Sequence, residues 1–131
     1  MRYVIDSSVW IETFRSPKGP IAQHLSDLLD DDDVVLTSPV KAELLLGCIQ
    51  SWKSRLEVLL SSVHYLSCTE PEWQKVFAWA KQSRSDGLTF ALGDLLIAAT
   101  AGSADLPLWT LDTDFERMEK LGWIKLYKPK N

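Results

Sequence analysis

Four acidic side chains are the residues of this 131-residue sequence best placed to do chemistry. Asp6 and Asp112 each follow a short apolar run of the kind that forms a buried strand. Glu43 and Asp94 lie in segments with helical spacing, on faces that are otherwise apolar. Carboxylates gathered in one place usually hold a divalent metal ion, and ions held by carboxylates usually act on phosphate esters. The four acids therefore predict a metal-dependent nuclease.

Three of these acids also have an ordinary structural explanation. Asp6 precedes a helical pattern and can be its N-cap, a role that is compatible with metal binding. Glu43 would be costly to bury alone, and a lysine or arginine partner is the alternative to a metal. Asp94 can be a capping carboxylate in the first turn of its helix. The two roles stay open for each acid alone, but the meeting of all of them at one edge of a sheet favours a metal site.

A second acid, Asp114, lies close to Asp112 in the segment that precedes a short helical pattern. Asp114 is the better helix cap by position, and Asp112 is the better metal ligand. Ser8 and Thr110 carry hydroxyl groups close to the acids, where they could orient a carboxylate or a metal-bound water. Local hydrogen bonds to the backbone explain each hydroxyl equally well.

The acids can meet only if the elements between them bring their ends together. Apolar runs predict strands at residues 2–5, 34–37, 64–66, 107–110 and 123–127. Helical spacing predicts two helices separated by Pro17–Pro20, a helix from Ser38 to near Gly47, and helices over 51–60, 70–81, 92–101 and 115–121. Strands that alternate with helices form a parallel sheet covered on both faces, with the site beyond the carboxyl ends of the strands.

Length and composition predict one domain over residues 1–131, with no transmembrane segment. The chain enters a strand pattern without a leader, and Cys48 and Cys68 are predicted to be small core residues, so that a cytoplasmic location is expected. The net charge of −4 argues against passive nucleic-acid binding but not against a nuclease, because bound metal offsets acidic groups. His24 and His64 lie far from the acidic motifs, and His24 is predicted on a helix surface.

Four motifs together resemble those of the PIN-domain ribonucleases, and most closely those of the VapC-type toxins of prokaryotic toxin–antitoxin pairs. They are Val4–Ile11, with the sequence VIDSSVWI, Ser38–Gly47, with SPVKAELLLG, Gly93–Ala101, with GDLLIAATA, and Leu108–Phe115, with LWTLDTDF. Each motif is a weak signal alone, but their order and spacing are specific, and the resemblance covers essentially the whole chain.

The resemblance implies a three-layer α/β/α sandwich around a central parallel sheet. It also implies one or two Mg²⁺ or Mn²⁺ ions, cleavage of RNA phosphodiester bonds, homodimerisation, and inhibition by an antitoxin whose tail occupies the active-site groove. The positions that match the acids of the family are Asp6, Glu43, Asp94 and Asp112, with Asp114 as a frequent extra acid, and those that match its hydroxyl groups are Ser8 and Thr110. The turn between Asp112 and Asp114 is shorter than in many relatives, which leaves open which of the two binds metal.

Two other functions compete with the nuclease. A PIN fold that serves only as a binding module would differ in its failure to bind metal or to cleave RNA. A phosphoacceptor receiver domain is also a parallel α/β fold with acids at strand ends, but it would need an acceptor aspartate after the third strand and a lysine after the fifth. Neither is present at a convincing position, and the run Asp30–Asp33 is predicted to be a solvated turn before a strand.

Overall fold

The computed structural model describes residues 1–47 and 53–129, which form a parallel sheet and the helices that surround it. The strands are β1 (Tyr3–Ile5), β2 (Val34–Thr37), β3 (His64–Leu66) and β4 (Leu108–Trp109). The helices are α1 (Ser7–Arg15), α2 (Pro20–Asp30), α3 (Ser38–Gly47), α4 (Lys53–Ser61), α5 (Glu70–Ser85), α6 (Leu92–Ser103) and α7 (Asp114–Lys120). None of the helices in these two ranges has the length and apolar character needed to cross a membrane.

The sheet has the strand order β3-β2-β1-β4, and each neighbouring pair is parallel. The first two crossovers therefore run in one direction along the sheet and the return from β3 to β4 runs in the other. Because such crossovers are right-handed, the two sets of helices lie on opposite faces and form the predicted α/β/α sandwich. The chain changes direction between β1 and β4, and ligands of open α/β sheets bind beyond the carboxyl ends of strands at such a point.

This strand order also decides against the receiver domain. Folds of that class have their first strand between the second and the third, whereas β1 here lies between β2 and β4. In the acidic run before β2, Asp30 ends α2 and Asp31 and Asp32 form the turn, with all three exposed and Asp33 half-buried. The prediction of a solvated turn there is confirmed.

Apolar side chains of the strands and helices meet in a common core. All four residues of β2 are buried, as expected of a central strand in a sheet covered on both faces. The largest side chains with almost no exposure include Trp10, Trp109, Phe115 and Leu25. Each such side chain stabilises the fold by roughly 1.5–3 kcal/mol through burial alone. The extent of the single domain, residues 1–131, stays a prediction.

Helix α5 is longer than the sequence pattern predicts, ending at Ser85 instead of near residue 81. Its end is a glycine-dependent cap: Gly87 has a φ of 71°, and the N–H of Leu88 donates to the carbonyl of Ser83 at 2.8 Å. This bond and that from Gly87 to Arg84 form a Schellman motif. The predicted break at Asp86-Gly87 is therefore correct, and the helix simply continues up to it.

The predicted last strand, residues 123–127, is wrong in extent. Only one isolated parallel bridge joins this segment to the sheet in the described chain, between Leu108 and Leu126. The reason lies in the partner, because β4 has only two residues: Pro107 lacks an N–H, and Thr110 already turns away into the acidic site. The predictions for Cys48, for the start of the helix at 51–52 and for the end of the tail fall outside the described residues.

Gly102, near the end of α6, is required by close packing. A Cβ atom at this position would lie 2.8 Å from the carbonyl oxygen of Trp123. We expect Gly102→Ala to lower the free energy of unfolding by about 1–3 kcal/mol, because the segment after α7 must move away. Thermal unfolding measures this loss, and Gly47→Ala is the matched control because a Cβ there meets nothing within 4 Å. Equal melting temperatures for the two variants would contradict the prediction.

Candidate acidic site

Asp6 lies directly after β1, with only 4% of its surface exposed. The residue is the N-cap of α1, and its Oδ2 atom accepts a long hydrogen bond of 3.4 Å from the N–H of Ser8. The same atom accepts much shorter bonds from the hydroxyls of Ser8, at 2.6 Å, and Thr110, at 2.8 Å. Asp6 is therefore a helix cap, as one of its two explanations predicted, and is also held by hydroxyl groups from two different elements.

The two hydroxyl groups connect β1 to the turn after β4. Ser8 Oγ accepts from the N–H of Leu111 at 3.0 Å, and Thr110 Oγ1 accepts from the N–H of Asp112 at 3.0 Å. Each hydroxyl thus accepts a backbone hydrogen bond and donates its own proton to Asp6. Both explanations apply to Thr110, because its backbone bond to Asp112 is local and it also orients a carboxylate. Ser8 orients the carboxylate too, but its backbone partner Leu111 is 103 positions away, so that this bond is not a local one.

Glu43 is more exposed than its helical pattern predicts. Helix α3 turns only Val40 and Leu44 fully into the core, one turn apart, so that Glu43 and its neighbour Leu46 lie on the exposed side. The expectation of a buried apolar face around Glu43 is therefore wrong. The carboxylate is nevertheless fixed, because the hydroxyl of Ser7 donates to Oε1 at 2.8 Å. Its partner is a hydroxyl instead of the lysine or arginine that the alternative required.

The approach of Glu43 to α6 depends on a glycine. A Cβ atom on Gly93 would lie 3.3 Å from Oε2 of Glu43, tighter than most carbon–oxygen contacts of this kind. Gly93 directly precedes Asp94, so that the glycine lets Glu43 come close to the first turn of α6. The sequence GD at the start of this helix thus combines a small residue for close approach with an acid.

Asp94, Asp112 and Asp114 form a compact group of carboxylates within the described residues. One oxygen atom of each lies within 4.8 Å of the others, a spacing that suits a shared metal ion. Asp94 is not a cap in the structure, because Ala91 is the N-cap residue of α6. Asp112 Oδ1 accepts from the N–H of Asp114 at 2.9 Å and so helps to start α7, which makes the assignment of Asp114 as the better cap wrong.

The five acids act on one another through their charges. The pKa of Asp94 is raised to about 6, first by burial and then by the negative charges of four neighbours. In order of effect, the neighbours are Asp6, Asp112, Glu43 and Asp114. A raised pKa means that the folded chain resists the last negative charge at this place. The group therefore fits a divalent cation by its donor chemistry and by its excess of negative charge.

Arg117 is a residue of the site region that the sequence patterns did not bring forward. Its Nη2 atom lies 3.3 Å from Oδ1 of Asp114 and donates to the carbonyl of Thr89 at 3.2 Å. The guanidinium also lies 4.7 Å from the centre of the Phe90 ring. Arg117 thereby holds Asp114 and ties α7 to the loop before α6. The spacing of three residues between Asp114 and Arg117 in a helical pattern is the signal that would have indicated this pair.

His24 differs from its predicted position on a helix surface. It is partly buried, and its Nε2 atom lies 2.7 Å from the hydroxyl of Tyr127. Its ring meets that of Trp109 edge-on, with centroids 5.0 Å apart. The contact with Tyr127 joins residues 103 positions apart, so that no local pattern could have predicted it. His64 begins β3, as predicted.

The chain has a parallel sheet, and its carboxylates gather where the direction of the chain along the sheet changes. These two features place it in the class of α/β domains that carry an acidic ligand site. Within that class, the chain belongs to the PIN-domain family, whose family model matches residues 3–121. This membership confirms the resemblance drawn from the four motifs.

Individual proteins with which the chain can be compared carry names of toxin–antitoxin systems. Ribonuclease VapC1 of Haemophilus influenzae strain R2866 is 28% identical over 129 residues, which cover 94% of this chain and 96% of that protein. The structure of VapBC2 from Rickettsia felis, bound to a DNA fragment from its promoter, has a TM-score of 0.82 at 18% identity, covering 99% and 100%. VapBC-5 from Mycobacterium tuberculosis, a member of the VapBC family of toxin–antitoxin systems, has a TM-score of 0.69 at 22% identity, covering 98% of both chains.

Proposed function

We propose that this chain is a metal-dependent endoribonuclease and the toxin of a toxin–antitoxin pair, active in the cytoplasm. The observation that carries the proposal is the convergence of four carboxylates on Asp94, whose burial and negative neighbours together raise its pKa to about 6. A cluster of this kind disfavours the folded chain unless a cation neutralises it, so function is its most direct explanation. Membership of the PIN-domain family and the similarity to Ribonuclease VapC1 support the choice of RNA as substrate.

Mg²⁺ is the proposed cofactor, with Mn²⁺ as the alternative, because both prefer oxygen ligands of the kind gathered here. Asp94, Asp112 and Asp114 would hold the ion most closely, given the spacing of their oxygen atoms. Asp6 and Glu43 would complete the site directly or through water. When bound, the ion lowers the pKa of a water molecule and offsets the charge that develops on the phosphate.

The side chains of the chain itself would prepare the site before substrate arrives. Every hydrogen bond described for the Asp6 carboxylate ends on Oδ2, so that Oδ1 is available to a ligand. Ser7 holds Glu43 through Oε1, which leaves Oε2 to orient the attacking water and accept its proton. Arg117 fixes the carboxylate of Asp114 from outside the cluster. Positioning of this kind reduces the reorganisation needed during the reaction.

The proposed antitoxin would bind a groove between α1, α2 and α4. The groove has a volume of about 530 Å³, and its lining includes Phe14, Ala22, Leu56 and Leu59. Nearby on α4, Val58 is 71% exposed and adds to the apolar surface around the groove. Trp10 cannot contribute directly, because it is completely buried. An apolar helix of the antitoxin is the occupant that such a groove favours. The homodimer implied by the family stays a proposal.

Cleavage of total cellular RNA by the purified protein tests the proposed function. We expect discrete fragments in the presence of Mg²⁺ or Mn²⁺. We expect none with EDTA, because EDTA removes the cation that the carboxylates are proposed to hold. Addition of the cognate antitoxin should suppress the fragments. Metal binding without cleavage of any RNA would favour the binding module, which is the second candidate, and cleavage that persists in EDTA would contradict the metal-dependent mechanism.

A further inference from the structure

A cavity of about 490 Å³ lies beside the acidic site, between α2, the end of β4 and the C-terminal segment. We refer to it as the α2 cavity. Thr110 and Leu111 line it and also belong to the network around Asp6, where Thr110 donates to the carboxylate and Leu111 donates to Ser8. The α2 cavity and the network around Asp6 therefore share Thr110 and Leu111, so that the cavity adjoins the place where we propose that a phosphodiester binds.

One wall of the α2 cavity is built from aromatic rings. His24 and Tyr127 stack with centroids 5.8 Å apart and an angle of 16° between their planes. Trp109 meets both rings edge-on, at 5.0 Å from His24 and 6.1 Å from Tyr127. The bond of 2.7 Å between Nε2 of His24 and the hydroxyl of Tyr127 fixes the two rings relative to each other. His24 and Tyr127 are partly exposed, whereas Trp109 is 2% exposed, so that the first two rings supply the accessible part of the wall.

The rim of the α2 cavity is polar. Gln23 and Asp27 are both exposed on one face of α2, and Nε2 of Gln23 donates to Oδ1 of Asp27 at 3.1 Å. Together they offer an amide, which can donate to and accept from a planar ligand, and a carboxylate, which can accept from it. Lys128, also exposed at the rim, adds a positive charge. Aromatic walls, a hydrogen-bonding edge and a cation are the features that recognise a nucleotide.

We propose that the α2 cavity binds one nucleobase of the RNA strand whose phosphodiester lies at the acidic site, and so helps to select the position of cleavage. The inference rests on the proposed ribonuclease function. A volume of this size lies within the range of small-ligand sites and accommodates a single base. Proteins read single-stranded RNA by such unstacked bases, which pack on aromatic side chains and present their edges to polar groups.

Direct binding is tested with the four nucleoside 5′-monophosphates, without metal, and observed by NMR at the two histidines of the chain. We expect the ring signals of His24 to shift in a saturable way with at least one nucleotide. His64, which begins β3 on the far side of the sheet, is the internal control and should not respond. No shift at His24 with any nucleotide, or an equal shift at His64, would overturn the proposal.

The effect on cleavage is tested with Gln23→Ala and His24→Ala on RNA oligonucleotides. Each variant should lower kcat/KM by about 10-fold for the preferred sequence, the size of effect typical of one bound base. For the wild-type protein, an oligonucleotide that lacks one base next to the cleavage site should show the same loss of kcat/KM. The variants should cleave this oligonucleotide and the complete one equally well, because the contact has already been removed. Gln74→Ala is the matched control, since Gln74 is an exposed glutamine on α5 with the same type of bond to an acid four residues away.

The outcomes separate this proposal from the ribonuclease itself. If the protein cleaves RNA with metal but Gln23→Ala and the missing base have no effect, the nuclease stands and the base-binding cavity is wrong. If nucleotides bind at His24 but no RNA is cleaved, the cavity does bind nucleotides, but its role in selecting a cleavage position is wrong together with the nuclease. His24→Ala removes a packed ring, so the folding of this variant is checked by thermal unfolding. If His24→Ala does not fold, Gln23→Ala still tests the proposal.

Discussion

The Asp94→Asn variant is expected to cleave RNA more than about 100-fold more slowly than the wild-type chain, beyond the loss typical of groups outside the metal coordination. Without metal, the same variant should be more stable near neutral pH. The loss of cleavage follows from the loss of a metal ligand. The gain in stability follows because burial and four neighbouring carboxylates raise the pKa of Asp94 to about 6. Asparagine keeps the shape but carries no charge, so it removes a ligand and a repulsion together. After allowance for solvent screening, the gain in the free energy of unfolding is about 1 kcal/mol.

RNA cleavage with Mg²⁺ and thermal unfolding in EDTA measure the two effects separately. Asp86→Asn is the matched control, because Asp86 is exposed at the end of α5, away from the cluster, and its change should affect neither quantity. A wild-type rate for Asp94→Asn would remove Asp94 from the site. A slow variant that also melts at a lower temperature than the wild type would contradict the crowding of charge as the reason for the raised pKa.

Metal affinity is expected to fall about tenfold for each pH unit below about 6, because protons compete with the ion for Asp94. The contribution of Asp94 to the stability of the metal-free protein should instead become more favourable as the pH falls. The folded-state pKa of Asp94 is raised above its ordinary value of 3.8, so the favourable contribution is complete below that value and is lost as the pH rises through about 6. The gain of Asp94→Asn over the wild type should therefore be largest near neutral pH and disappear near pH 4.

Calorimetric titration with Mg²⁺ at several pH values measures the affinity. Melting temperatures of the two proteins in EDTA, compared at each pH, isolate Asp94 from the other titrating groups, which the two proteins share. A difference in melting temperature that stays constant from acid to neutral pH would contradict the prediction. Metal affinity that does not change below about pH 6 would show that Asp94 contributes little to binding.

The sequence allowed the fold and most of the acidic site to be predicted, because strand ends and helix faces are local patterns. Asp6 and Asp112 follow apolar runs, and in a parallel sheet such positions must meet at one edge. The alternation of strands and helices gave the central part of the sheet for the same reason. The last strand was overestimated, since its length depends on how many residues β4 offers for pairing, and that is a tertiary property.

The surroundings of the site were less predictable. The apolar neighbours of Glu43 suggested burial, but apolar residues on α3 exceed what the core accepts, and Leu46 is 88% exposed. The local sequence around an apolar residue such as Leu46 is the same whether its side chain packs in the core or against a partner protein. The packing of His24 on Tyr127 depends on residues at opposite ends of the chain, so that no spacing rule applies to it. Asp114 was noted as an extra acid from the sequence, but its bond to Arg117 required the structure.

The hydroxyl network around Asp6 joins the first strand of the chain to the last, since Ser8 and Thr110 are 102 positions apart. During synthesis on the ribosome, Asp6 and Glu43 emerge long before Thr110, Asp112 and Asp114. The chain grows at about 5–20 residues per second, so for several seconds its early acids have neither their late hydroxyl partner nor the rest of the cluster. A nascent chain of this protein therefore has no complete acidic site until Asp112 and Asp114 have been made, and until then the RNA of the ribosome that produces it is exposed only to an unfinished enzyme.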